Sequence, residues 1–103
     1  MNVVIVHPDE KLLEVLEERL GYEGFRMKIL TPVQDILGTL YREKPQIVLL
    51  NWPCEGVTIN DLNDWQDSQT SAFRLQKTQS TDAQELFSLV MTLSEEILLE
   101  RKT

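Results

Sequence analysis

Ile47-Val48-Leu49-Leu50 is an aliphatic run with no polar break, and a strand can carry such a run only when both of its faces are buried. Two other short apolar runs precede it, Val3 to Val6 and the alternating Phe25, Met27 and Ile29, and helical stripes separate the three. Leu12, Leu13, Leu16 and Leu20 recur at helical spacing after the first run, as do Val33, Ile36, Leu37 and Leu40 after the second. Up to Asn51 the order therefore reads β-α-β-α-β with short connections. Parallel strands with right-handed crossovers, an α/β fold, are the natural consequence.

Local signals place the joints. Pro8 or Asp9 suits a first helical turn, and Gly21 and Gly24 punctuate that helix's exit. Arg26 and Lys28 alternate with apolar neighbours, which gives the second strand a wetter face and marks it as an edge. Thr31-Pro32-Val33-Gln34 reads as a capping box with proline at the first helical position, opening a helix that Lys44-Pro45 ends.

The second half is less regular. Thr58 to Asp61 reads as another capping box before a short helix bearing Ile59, Leu62 and Trp65, and Gln66 to Ser71 reads as a polar linker. Ala72 to Gln76 can form one more strand with Phe73 and Leu75 facing inward. Thr81 or Asp82 caps a final helix to about Arg101, whose main seam is Leu86, Val90, Leu93 and Ile97, widened by Phe87, Met91 and Leu98. Such a seam is ordinary core, or else its far end packs on a partner.

Composition narrows the function classes. The 103 residues suit one domain spanning 1–103. Ten Lys and Arg against seventeen Asp and Glu give a net charge of -7, so the basic surface that neutralises phosphates is missing and no direct nucleic-acid partner is expected. Acidity serves solubility or a basic protein partner. The lone Cys54 cannot form an internal disulfide and has no His/Cys company at metal-ligand spacing, which fits a reducing, cytoplasmic setting with no metal. No apolar stretch approaches the roughly 18 residues of a membrane span, and no glycine-rich phosphate loop announces a cofactor, so neither membrane nor cofactor is expected.

Three stretches in order, VVIVHPDEKLLEVLEERL, PQIVLLNWP and FRLQKTQSTDAQELFSLV, resemble the receiver (CheY-like) domain of bacterial response regulators. The resemblance implies a flavodoxin-like parallel sheet with flanking helices. In that family acidic residues at the end of the first strand hold Mg²⁺, an aspartate ending the third strand takes the phosphoryl group, and a lysine ends the fifth. Here His7 and Pro8 stand at the acidic pair, Asn51 at the aspartate and Lys77 at the lysine. From Asn51 to Lys77 the chain is about one strand-helix unit too short.

The substitutions bear on chemistry. A neutral amide is no phosphoryl acceptor, and Mg²⁺ does not favour an imidazole nitrogen. Asp9 with Glu10 could supply the acids only by swinging back against the turn that Pro8 fixes. His7 suits a strand-end cap, since no Ser, Cys or Asp completes a relay with it, and Asn51 suits bonds to backbone groups or to Lys77.

The expectation is therefore a non-enzymatic, phosphorylation-independent pseudo-receiver acting as a protein-interaction module in two-component signal transduction or regulation. Trp52, either exposed as an anchor or plugging the gap of the missing unit, is one interaction candidate, and the seam Leu86, Val90, Leu93 and Ile97 is another. Self-association as a dimer, through the last helix or the shortened side, follows from the apolar surface that a missing unit uncovers. The rival reading is a small-anion or nucleotide site at the His7, Asn51 and Lys77 corner.

Overall fold

The computed structural model describes residues 1–102. Four strands, β1 (Asn2–Val6), β2 (Arg26–Leu30), β3 (Ile47–Asn51) and β4 (Arg74–Thr78), form one parallel sheet in the order β2-β1-β3-β4. The helices α1 (Glu10–Tyr22), α2 (Ile36–Glu43), α3 (Ile59–Asp67) and α4 (Ala83–Lys102) alternate with them.

Strand alternation sorts the core into two layers. Val3 and Ile5 of β1 and Ile47 and Leu49 of β3 pack on one face against the leucine stripe of α1 and the seam of α4. Val4, Val6, Val48 and Leu50 pack on the other, against Ile36, Leu40, Leu62 and Trp65 of α2 and α3. The central strands are buried on both faces, as their unbroken aliphatic runs require. β2 alternates exposed Arg26 and Lys28 with half-buried Met27 and Ile29 and lies at the edge.

The caps show which local signals hold. Asp9 caps α1 by accepting from the Lys11 and Leu12 N–H groups, and Gly24 at φ 89° lets the chain leave α1 and return the Phe25 N–H to the Leu20 carbonyl. The Thr58–Asp61 capping box forms with both of its reciprocal bonds. Asp82 accepts from the Gln84 N–H ahead of α4.

Thr31 to Gln34 departs from expectation. Gln34 Oε1 does accept from the Thr31 N–H, but the Gln34 N–H returns to the Thr31 carbonyl in a turn, and Val33 is 93% exposed. The helix starts four residues later than expected, at Ile36, with Asp35 as its cap bonding the Gly38 N–H. A Cβ at Gly38 would stand 2.1 Å from the Asp35 carboxylate and would displace it from this capping position. Gln66 and Asp67, expected in the linker, extend α3, and β4 starts at Arg74 rather than Ala72.

The α4 seam is core. Leu86, Val90, Leu93 and Ile97 are buried against α1 and the sheet and offer nothing to a partner, because α4 lies flat along α1 and all four project inward. Outward-facing apolar residues of α4 are Leu98 and Leu99 at its far end. Ile59 is likewise half exposed, whereas Leu62 and Trp65 are buried, Trp65 edge-on to Phe73 at 5.4 Å. Among the described residues the Trp65 indole N–H has no hydrogen-bond partner, a cost of about 1–3 kcal/mol for a buried donor.

Candidate functional site at the carboxyl end of the sheet

The connections leaving β1, β3 and β4 meet at the carboxyl edge of the sheet, where ligands gather in open α/β folds. His7 follows β1 there and is only 2% exposed. Its Nδ1 accepts the Asp9 N–H at 3.0 Å, and its Nε2 lies 3.0 Å from the Ser80 carbonyl. A carbonyl only accepts, so Nε2 carries the proton and the imidazole is the neutral Nε2–H tautomer. Both ring nitrogens are thereby engaged, one with the α1 cap and one with the β4–α4 connection.

Ser80 extends this clasp. Its N–H donates to Thr78 Oγ1, its hydroxyl donates to Glu85 at 2.6 Å, and the same hydroxyl accepts the Asp82 N–H. Sequence reasoning missed Ser80, because the group that meets His7 is a backbone carbonyl and carries no residue-type signature. Only the polar Thr78-Gln79-Ser80-Thr81-Asp82 stretch marked the place, and it reads as a helix cap.

Pro8 is exposed, and Asp9 Oδ1 is occupied with the two α1 amides, so the carboxylate faces its own helix and not the end of β3. Among the described residues no three His, Cys, Asp or Glu side chains come together as a metal-binding set. Glu10 sits exposed in the first turn of α1.

At the end of β3 the sequence grouping divides. Asn51 is in register with Thr78 and Leu50 with Lys77, so alternation sends Asn51 to the α1/α4 face and Lys77 to the α2/α3 face. No hydrogen bond joins Asn51 to Lys77 among the described residues. Instead, the Lys77 ammonium stands 4.6 Å from the centroid of the Trp52 ring. Trp52 is half-buried against the α2/α3 core, and its N–H donates to the Thr78 carbonyl. It is thus partly plug and partly surface. Cys54 beside it is buried and unpaired.

No family model matches the chain, and no curated protein matches it in sequence. Among solved structures it is similar to the BeF3-activated N-terminal receiver domain of Klebsiella pneumoniae RstA, with a TM-score of 0.55 and 20% identity over 89% of this chain and 80% of that one. The fold is receiver-like.

A receiver-type sheet has the order 2-1-3-4-5, whereas here the last strand pairs directly with β3. The described residues hold four strands and four helices, one strand-helix unit fewer than that order. β4, which carries Lys77, lies directly beside β3 at the end of the sheet, and the Lys77 ammonium meets the Trp52 ring.

β4 is consequently a sheet edge, and its own side chains blunt it. Arg74 Nη1 donates to the Phe73 carbonyl and Gln76 Nε2 to the Lys77 carbonyl. Arg74 also binds Glu96 at 3.5 Å and Glu100, tying β4 to α4. The hydrogen bond between Arg74 and Glu100 raises the guanidinium pKa and lowers that of the carboxyl.

Proposed function

We propose that this chain is a phosphorylation-independent, non-enzymatic receiver-like module that works by binding proteins in signal transduction or regulation. The observation carrying this reading is the His7 clasp: where a receiver presents a carboxylate to Mg²⁺, this chain buries a neutral imidazole with both nitrogens engaged by backbone. Asp9, the nearest acid, is held as a helix cap, and Asn51 offers an amide where an anionic nucleophile is needed.

Incubation with acetyl phosphate and Mg²⁺, followed by intact mass, tests the reading. An unmodified chain is expected; a phosphoryl adduct on the native protein overturns it. The same experiment on Asn51→Asp separates loss of the acceptor from loss of the cation site, and that variant is expected to stay unmodified as well.

The partner-binding reading includes self-association through the far end of α4, where Leu98 and Leu99 are exposed. Sedimentation velocity over a concentration series checks this, with a constant monomer mass removing it. No helix among the described residues is long and apolar enough to cross a membrane.

A further inference from the structure

The two edges of the sheet are finished differently, and the contrast locates a docking surface. We propose that the open edge of β2 receives an extended segment of a partner protein in which acidic and apolar residues alternate, added as a fifth strand. This deepens the interaction reading above by naming the surface and the chemistry it selects.

Backbone geometry comes first. The Arg26 N–H donates to the Met1 carbonyl and the Leu30 carbonyl accepts from the His7 N–H, so residues 26, 28 and 30 bond inward to β1. In a parallel ladder the alternate residues, Met27 and Ile29, then direct their N–H and C=O groups outward. Among the described residues no side-chain bond caps them, in contrast to the Phe73 and Lys77 carbonyls at the opposite edge.

Side chains set the selectivity. On the α2 side, that helix leans over β1 and leaves a groove of about 270 Å³ flanked by Arg26 and Lys28, with Glu43 as its one carboxylate. Neither cation forms an ion pair among the described residues, where the ion pairs are those of Arg74. On the α1 side a second groove of about 260 Å³ is lined by Leu13 and Ile29 together with Glu10, Glu14, Thr31 and Gln34, so it takes apolar side chains and its two carboxylates turn acidic ones away to the first groove. A strand laid along this edge would present alternate residues to the two grooves, acids to the first and apolar side chains to the second.

A second copy of the chain is a poor occupant. Full antiparallel pairing of β2 with another β2 sets Lys28 directly opposite Lys28, and like charges across a ladder are destabilising. The same two cations that repel self-pairing attract an acidic strand, which is specificity by exclusion as well as attraction.

The test is amide NMR of the full chain titrated with two synthetic peptides of about ten residues, one alternating Glu with Val and one alternating Lys with Val. Expected are saturable shifts of Met27 and Ile29 with the acidic peptide only, with their hydrogen exchange slowed by about tenfold or more. Arg26→Glu with Lys28→Glu, both exposed positions, should reverse the preference. Equal response to both peptides, saturable shifts away from β2, or no saturable shift at millimolar peptide would overturn the proposal. Such a failure leaves the phosphorylation-independent reading intact, because the acetyl phosphate experiment does not involve β2.

Discussion

The ends of β1 and β3 lie side by side, yet one is closed by hydrogen bonds and the other by a ring face. At β1, His7 is buried and bridges the α1 cap to a carbonyl 73 residues away. At β3, Asn51 and Trp52 are partly exposed, the Asn51 amide makes no hydrogen bond among the described residues, and Lys77 rests over the indole. Neighbouring strand ends of one sheet are thus finished in different ways, one as a buried hydrogen-bonded clasp and the other as a half-buried aromatic patch under a cation.

That contrast orders the expected mutational effects. His7→Ala leaves the Ser80 carbonyl and the Asp9 N–H without their partner and opens a buried void, so it should cost about 2–3 kcal/mol. Thermal unfolding should report a fall of roughly 10–20 °C for a chain of this size. A shift of only a degree or two would mean that the clasp is incidental.

The β3 end should respond more weakly. A double-mutant cycle of Lys77→Ala and Trp52→Ala should give a coupling of about 0.5–1 kcal/mol, the scale of a cation over an exposed ring. Coupling near zero would leave Trp52 held by its apolar contacts alone. Asn51→Ala should change stability by no more than about 0.5 kcal/mol, as for a polar residue outside any network. A larger loss would place Asn51 in a network and erase the difference between the two ends.

Away from both ends, the Arg74–Glu100 pair gives a pH-dependent control. The Glu100 carboxyl is held below its ordinary value, so its contribution is present above about pH 4.3 and is lost as pH falls through the lowered folded value. Glu100→Gln should therefore lower the melting temperature slightly at neutral pH and not at all in acid. An equal effect at both pH values would assign the loss to packing.

Legibility in the sequence followed the physics of each signal. The aliphatic runs of β1 and β3, the α1 stripe, the charged alternation of β2 and the Thr58–Asp61 capping box were all readable, because each needs only neighbours in sequence. Thr31 to Gln34 misled because a turn satisfies the same Thr31 N–H to Gln34 bond that a capping box does, and Asp35 is the better cap. The α4 seam showed its width in sequence but not which side would be covered, and α1 covers it. At the site, the absence of acids at His7, Pro8 and Asn51 was plain. The Ser80 carbonyl was not, nor was the turn of Lys77 onto Trp52, since both depend on β4 lying directly beside β3.

The most direct test of a receiver-like fold without its phosphate chemistry is an amide NMR titration of the chain with Mg²⁺ and then with beryllium fluoride, following His7, Asp9, Asn51 and Lys77. Resonances that stay in place at millimolar additions are the expected result. Shifts at all four residues that move together and saturate would contradict it, and would show that an anion-responsive site persists at the carboxyl end of the sheet.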